Sequence, residues 1–308
     1  MKDEKIVIGA NTNYPLKGVL SLPSLTGELV PAVVIVHGSG PSNMDGKVFN
    51  NHPYKDISNG LSDKGIAVLR YDKRTLVYGK EMKKDAGISV KEETIEDAIL
   101  AANFLRNDLR IDPNKIFIIG HSLGGMLAPR IDAEGGNFAG LVIMAGSPRK
   151  LEEIIMDQNE MILNSLNKFL RWIAKKQIAA LSSKFENIYN LSDEEAKLKS
   201  VLGRNIKAYY FKEMGEHPAT NYLNSFEKPI LFLQGEKDFQ ATVEKDFNEY
   251  KKIMDDKPNS TFKLYSNLNH MFMPSIYGEL LKAKKVYKVA QHVDKEVIND
   301  IADWILSL

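Results

Sequence analysis

A predicted strand, a tight turn and a predicted helix follow one another between residues 115 and 131. The β-branched run KIFII is typical of a buried strand, and the stretch that begins at Met126 is typical of a helix. Between them lies the pentapeptide GHSLG at 120–124, whose glycines let the strand and the helix pass close together because neither carries a Cβ. We therefore predict that Ser122 lies at the carboxyl end of a strand, beside helical N–H groups that favour negative charge.

Three further predicted strands end in the groups that a nucleophilic serine needs. The strand in residues 31–41, PAVVIVHGSGP, runs into a glycine-containing loop in which the Ser39 N–H can face a ligand. The runs PILFLQGEKD and STFKLYSNLNH end at Asp238 and His270. The chain order serine, aspartate, histidine is that of the α/β-hydrolase fold, in which the N–H after the nucleophile, here that of Leu123, is the other oxyanion donor.

These residue types predict nucleophilic catalysis. A serine hydroxyl is a weak nucleophile at neutral pH, and a histidine can take its proton during attack and return it to the leaving group. Asp238 would hold His270 in the required tautomer and stabilise the imidazolium, and the Ser39 and Leu123 N–H groups would bind the oxyanion. The sequence thus predicts an acyl-enzyme mechanism that needs neither a metal ion nor an organic cofactor.

Other acids and histidines compete for two of these roles. The competing acids are Glu236 and Asp246. The competing histidines are His52, His217 and His292. Position at a strand end favours Asp238, and position after the last strand favours His270. We interpret His37 and His121, which flank the site, as hydrogen-bonded scaffold.

The loop HGSGP at 37–41, the run RYDKRT at 70–75 and GHSLGG at 120–125 resemble those of bacterial serine carboxylesterases of the α/β-hydrolase superfamily. This branch also contains feruloyl esterase-like and peptidase-like members. The resemblance covers nearly the whole chain, more loosely at 151–226, and the turn SNMD at 42–45 departs from the D-R-D-type turn of many members. It implies hydrolysis of short or medium carboxylic esters, aryl esters among them.

Two other functions stay open at this stage. The same triad can act on an amide or a thioester, because the substrate is chosen by the acyl pocket rather than by the triad. A non-catalytic ligand-binding protein on this fold is the third hypothesis, and the expected sign of it is the loss of a triad member. Asp72 and Arg74, after the strand GIAVLRY, are interpreted as an ion pair that holds loops rather than as substrate ligands.

Strand-like and helix-like segments alternate along most of the chain. They predict an α/β fold with a mostly parallel, eight-stranded sheet, an antiparallel opening pair and helices on both faces. We assign residues 1–150 and 227–308 to this core. Residues 151–226 break the alternation with no convincing strand, and we interpret them as a helical lid over Ser122; the alternative is a helical pair that only packs on the core.

The lid prediction rests on apolar side chains at helical spacing. The stripe consists of Ile162, Leu166, Phe169, Leu170 and Ile173. We expect its inward-facing members to set the acyl length. The candidate substrate contacts are the aromatic residues Tyr209, Tyr210 and Phe211.

Composition limits the classes of partner. The 308 residues are enough for one large core, and a net charge of +1 gives no electrostatic reason to expect nucleic acid or an anionic membrane surface. The chain has no cysteine, which excludes disulfides and a thiolate metal site. The N-terminus MKDEKIVIGA has acidic residues where a signal peptide needs a long apolar core, and no apolar run approaches about 18 residues, the length of a membrane span. We therefore expect a cytoplasmic enzyme whose partner is a small-molecule ester, although the lack of cysteine would also suit export. The oligomeric state is not specified by the sequence.

Overall fold

A large, mostly parallel sheet forms the centre of the protein. The computed structural model describes residues 1–24, 27–203, 206–254, 256–278 and 282–308. The described strands are β1 (Lys2–Ile8), β2 (Leu16–Leu22), β3 (Val30–Val36), β4 (Ala67–Tyr71), β5 (Ile111–His121), β6 (Leu141–Met144), β7 (Ser200–Leu202), β8 (Ile206–Lys207), β9 (Ile230–Gly235) and β10 (Ser260–Tyr265). Eight of them form one sheet in the order β1-β2-β4-β3-β5-β6-β9-β10, and β7 pairs with β8 in a separate hairpin.

The strand directions agree with the apolar character of the strands. β1 pairs with β2 and β2 with β4 in antiparallel register, whereas every other pair in the large sheet is parallel. β3, β5, β6 and β9 contain nearly continuous apolar runs, as parallel strands do when both faces are covered. β6 is the shortest of the eight, with four residues. The predicted eight-stranded α/β sheet and its antiparallel opening pair are confirmed.

Helices connect the strands and cover both faces of the sheet. The described α-helices are α1 (Pro53–Asp63), α2 (Arg74–Val77), α3 (Gly79–Met82), α4 (Glu96–Arg106), α5 (Leu123–Ile131), α6 (Leu151–Ser165), α7 (Lys168–Glu186), α8 (Asp193–Leu198), α9 (Ala208–Glu216), α10 (Thr220–Leu223), α11 (Asn248–Met254), α12 (Ala283–Lys288) and α13 (Lys295–Leu306). Among the described residues, no helix combines the length and the hydropathy that a membrane span requires.

Two apolar layers lie against the sheet. On one face, Ile57 of α1 and Ile301 of α13 pack on side chains of β3, β5 and β9. On the other face, Ala98 of α4 and Leu127 of α5 pack on the alternate residues of the same strands. Burial of such side chains contributes about 1.5 to 3 kcal/mol each, so the two layers hold the carboxyl ends of the strands in fixed positions.

The segment 151–226 differs from its prediction in two ways. It is mostly helical, as expected, but it contains the hairpin of β7 and β8, which the sequence analysis did not predict. The apolar stripe also does not lie on one helix. Leu166 is extended, with φ −83° and ψ 150°, and ends α6, and Asn167 then starts α7 by accepting a hydrogen bond from the Leu170 N–H at 3.0 Å.

Most of the apolar stripe lies on the outside of the protein, so few of its members can face inward. Phe169 is 69% exposed and Leu170 is 47% exposed, and Ile162 and Ile173 also face the outside. Because the helix is interrupted at Leu166, α6 and α7 are separate helices. Side chains at helical spacing in the sequence therefore no longer share a face.

Arg74 makes a structural ion pair, but not with the predicted partner. Its guanidinium donates to Asp97 and Glu96 of α4. Asp72 instead accepts a hydrogen bond from the Met44 N–H at 2.9 Å. The sequence could not distinguish these partners, because α4 reaches Arg74 only through the packing of the sheet.

Candidate active site

Ser122 lies on a strained turn between β5 and α5. Its φ of +54° and ψ of −117° form a conformation that residues with a side chain rarely adopt. The Ser122 N–H donates to the Met144 carbonyl at 2.9 Å, and the Met126 N–H donates to the Ser122 carbonyl at 3.0 Å. A Cβ on Gly120 would overlap the backbone of Gly124, which is why this position needs glycine. The sheet and the helix together hold the serine in this conformation.

Asp238 and His270 form a buried pair beyond the ends of β9 and β10. His270 Nδ1–H donates to Asp238 Oδ2 at 2.7 Å. The same carboxylate accepts hydrogen bonds from Gln234 Nε2 at 3.0 Å, from the Gln240 N–H at 2.7 Å and from the Ala241 N–H at 3.1 Å. All four partners donate to this carboxylate, and the bond to Nδ1 orients the imidazole with Nε2 free of the pair.

Ser122 and His270 meet at one cavity. The cavity has a volume of about 490 Å³, and both side chains line it. Among the hydrogen bonds of the described residues, none joins Ser122 Oγ to His270. Such bonds are often long in enzymes without substrate and shorten when it binds. The apolar walls include Leu123, Met126, Leu151, Ile154, Ile155 and Phe211.

Ser39 and Leu123, the predicted oxyanion donors, both line the cavity beside Ser122. Leu123 is the first residue of α5, so its N–H has no acceptor within the helix. Gly38, just before Ser39, packs directly against the serine: a Cβ on it would lie 3.2 Å from the Ser122 Cβ. The loop after β3 is thus adjacent to the turn after β5, as the order of the two strands in the sheet requires.

A chain of hydrogen bonds behind the cavity connects three of its loops. The Gly38 N–H donates to the Tyr54 hydroxyl at 3.3 Å, which lies 3.1 Å from His121 Nδ1, and His121 Nε2 lies 2.8 Å from the His270 carbonyl. Burial lowers the pKa of His121 to about 3, so this imidazole is neutral. A carbonyl only accepts, and Nε2 therefore carries the proton while Nδ1 accepts from Tyr54. Sequence reasoning identified His121 as scaffold but missed Tyr54.

The competing acids lie elsewhere. Glu236 is exposed. Asp246 is buried and accepts hydrogen bonds from Ser147 Oγ at 2.6 Å and from Arg149 Nε at 2.9 Å. Neither acid contacts His270 among the described hydrogen bonds, so the structure brings Asp238 alone of the three to this imidazole.

The competing histidines also lie elsewhere. His217 Nδ1 lies 2.8 Å from the Tyr222 hydroxyl, and His292 Nδ1 lies 3.0 Å from Asp56. His52, just before α1, is not among the residues that line the cavity. Within the described ranges, no group of three histidine or acidic side chains is arranged to hold a metal ion.

Two of the three predicted aromatic contacts line the cavity. Tyr210 and Phe211 of α9 face it, whereas Tyr209 lies under Lys197, whose Nζ is 4.7 Å from the ring centroid. Tyr209, a candidate substrate contact, is thus not among the residues that line the cavity. Successive residues on α9 point about 100° apart, so three adjacent side chains cannot share one surface.

The sequence analysis missed the side of α6 that forms a wall of the cavity. Leu151, Ile154, Ile155 and Gln158 line it. Their spacing of three, four and seven residues is that of one helical face, so the signal was present in the sequence. It was overlooked because the longer apolar stripe further along the chain gave a stronger pattern.

The sheet order, the strained serine after β5 and the acid and histidine loops after β9 and β10 define an α/β hydrolase. This fold places its reactive groups just after the carboxyl ends of strands. Ser122 follows β5 directly, and two residues separate Asp238 from the end of β9. More narrowly, the chain belongs to the family described as serine aminopeptidase, S33, whose family model matches residues 28–274.

Individual relatives agree with this class. Esterase EstD from Thermotoga maritima is 36% identical over 297 residues, which are 94% of this chain and 65% of EstD. This chain thus spans less than two thirds of the length of that relative. Est1E from Butyrivibrio proteoclasticus has a TM-score of 0.58 at 15% identity and covers 99% of each chain. An acylaminoacyl peptidase from Pyrococcus horikoshii has a TM-score of 0.59 at 15% identity, covering 99% of this chain and 41% of its own. At these identities the two structures show the shared fold alone.

Proposed function

We propose that this protein is a serine carboxylesterase that cleaves small carboxylic esters of short or medium acyl chains, aryl esters among them. The observation that carries the proposal is the buried Asp238–His270 pair, with 2.7 Å between His270 Nδ1 and Asp238 Oδ2, at the cavity that Ser122 also lines. The relative at 36% identity that is named an esterase supports the choice of ester over amide or thioester. A cytoplasmic location remains our prediction from the sequence.

The proposed reaction has two halves. Ser122 Oγ attacks the ester carbonyl carbon while His270 Nε2 takes the hydroxyl proton, and the carbonyl oxygen becomes an oxyanion bound by the Ser39 and Leu123 N–H groups. The oxyanion then collapses, the C–O bond to the alcohol breaks, and His270 gives its proton to the leaving alkoxide. Water repeats the attack on the acyl-enzyme, releases the acid and restores Ser122.

The cavity wall supports an apolar acyl group. Its side chains nearest Ser122 include Leu123 and Met126, and α6 adds Ile154 and Ile155. Each methylene buried against such a wall contributes about 0.8 kcal/mol of binding free energy. A volume of about 490 Å³ falls in the range of small-molecule sites, about 300 to 1,000 Å³, which fits an acyl chain with a small alcohol.

Substitution of the triad tests this proposal. We expect Ser122→Ala, Asp238→Asn and His270→Ala each to lower kcat for a nitrophenyl ester by about 10³-fold or more, and combinations to add little, because the triad acts as a unit. The matched controls are Glu236→Gln and His292→Ala, two competing residues outside the cavity, which should keep wild-type kcat. A Ser122→Ala variant with a tenth of wild-type activity would contradict the nucleophile assignment.

A substrate panel separates the proposed function from its alternatives. Nitrophenyl esters of graded chain length, an aminoacyl anilide and an acyl thioester are assayed with the wild type and with Ser122→Ala. We expect kcat/KM to be highest for an ester. A preference for the anilide would indicate a peptidase, and a preference for the thioester a thioesterase. Binding without Ser122-dependent turnover of any of them would indicate a ligand-binding protein.

A further inference from the structure

Lys73 is a buried lysine whose ammonium reaches the loop before Ser39. It is 1% exposed and stands just before α2. Its Nζ donates to the Gly38 carbonyl at 2.8 Å and to Glu93 Oε1 at 2.5 Å. A buried ammonium needs an opposite charge, and Glu93 supplies it. The bond to Gly38 is thus additional to charge neutralisation.

The Gly38 carbonyl and the Ser39 N–H belong to the same peptide group. This peptide is trans. In a planar trans peptide the C=O and the N–H point in opposite directions, so a donor that fixes the carbonyl also fixes the direction of the N–H. The ammonium polarises the peptide as well, which makes the N–H a stronger donor. The preceding peptide group is held as well, because its Gly38 N–H donates to the Tyr54 hydroxyl at 3.3 Å.

The partner of Lys73 is itself held at the cavity. Glu93 lies in a π-helical turn, Lys91–Ile95, and lines the cavity together with Tyr210. Burial of the Tyr210 hydroxyl together with the charge of the nearby Glu93 carboxylate raises the pKa of this phenol, so the phenol stays neutral. The ammonium therefore has two fixed partners, the Glu93 carboxylate and the Gly38 carbonyl.

We infer that Lys73 is a positioning residue for the oxyanion hole: through the Gly38 carbonyl it aims the Ser39 N–H at the oxyanion that forms on the substrate. This inference rests on the proposed function and assigns the residue no contact with substrate. Because the oxyanion is fully formed only near the transition state, a misdirected Ser39 N–H lowers kcat far more than it raises KM.

The first test is Lys73→Met, which keeps a long side chain without the charge. We expect kcat for a nitrophenyl ester to fall about 10- to 100-fold, KM to change less than about threefold, and a boronic acid that forms a tetrahedral adduct to lose affinity by about the same factor as kcat. Rates are normalised to the folded fraction, determined by titration with an organophosphonate. The matched control is Arg74→Met, which removes the neighbouring buried cation on Asp97 and should leave the normalised kcat unchanged.

The absence of cysteine from the chain allows a second test. Lys73→Cys introduces a single thiol, which is alkylated in the unfolded protein with 2-bromoethylamine or with 1-bromopropane before refolding. The two products have side chains of nearly equal size, and only the first carries an ammonium. We expect aminoethylation to restore kcat to within about fivefold of refolded wild type, and propylation to leave it at the level of Lys73→Met.

Two results would overturn the inference. One is an equal normalised kcat in the two alkylated forms. The other is a Lys73→Met variant whose folded fraction falls while its normalised kcat equals that of wild type, which would make Lys73 a stabilising residue only. Failure of the proposed function looks different, because the wild type would then show no ester hydrolysis that depends on Ser122.

Discussion

His121 and His270 lie side by side at the candidate site, with ring centroids 4.8 Å apart, but their hydrogen-bond partners differ. His270 donates to a carboxylate, which stabilises a positive imidazole. His121 contacts a phenol and a carbonyl, and burial lowers its pKa to about 3. In the proposed reaction, the proton of the serine hydroxyl would therefore go to His270, while His121 stays neutral and keeps the loop of His270 in place.

The state of His121 can be measured directly. Since its pKa is lowered to about 3 by burial, the imidazole should stay neutral as pH falls from about 7 to about 4, with its proton on Nε2. Two-dimensional NMR of 15N-labelled protein, assigned with His121→Asn, should show ring shifts that do not move over this range. A titration of this ring with a midpoint near 6.5, the ordinary pKa of histidine, would contradict the buried, neutral assignment.

At the level of single residues, the sequence predicted some members of the candidate site and not others. Ser122, Asp238 and His270 were predicted because each follows a strand whose apolar pattern is plain, and parallel strands bring their carboxyl ends to one edge. Lys73 and Tyr54 were not predicted as parts of the site. Each of them contacts a backbone atom of Gly38, which every residue possesses. Their side-chain partners, Glu93 for Lys73 and His121 for Tyr54, are distant in the sequence, so no local pattern indicated these contacts.

At the scale of helices and strands, α6 rather than α7 determines the shape of the cavity. α6 contributes Ile154 and Ile155 to the wall, whereas Ile173 of α7 is exposed. Apolar periodicity predicted the helices of 151–226, but it could not show where one ends and the next begins. That boundary depends on the Asn167 cap, a short polar side chain that also occurs inside helices.

The roles of these helices predict a difference between two matched substitutions. Ile155→Trp fills part of the cavity, so we expect the preferred acyl chain to shorten by several carbons and KM for long-chain esters to rise about 10-fold. Ile173→Trp adds the same side chain on the exposed face and should leave the chain-length profile as in wild type. The nitrophenyl ester series measures both. Equal profiles for Ile155→Trp and wild type would show that α6 does not limit the acyl group.

At the scale of the whole molecule, two buried histidines next to the site make the stability of the fold depend on pH. His37 and His121 are both buried, and burial lowers the pKa of each from 6.5 to about 3. Below a pH of about 6.5 the unfolded chain binds protons at these positions and the folded protein does not, so protons favour unfolding. This contribution to stability is complete above the unfolded pKa and is lost as pH falls towards about 3.

We therefore expect the free energy of unfolding to decrease by about 2 kcal/mol for each of these histidines between about pH 7 and about pH 5. Urea unfolding at both pH values measures the decrease. In His37→Gln the decrease should be smaller than in wild type by the share of one histidine, about 2 kcal/mol. An identical decrease in the variant would mean that His37 binds its proton in the folded state too.

The short length of β6 contributes to how the cavity is formed. This strand ends at Met144, level with Leu233 of β9, and β9 continues to Gly235. Beyond Met144 the chain continues through Ala145, which has a φ of +49° and lines the cavity. β5 also ends at this level, because His121 pairs with Met144, so the cavity lies where β5 and β6 have ended and β9 continues for two more residues. The early end of β6 therefore gives the cavity a backbone wall at Ala145, which faces the same space as the α6 side chains against which we propose that the acyl group binds.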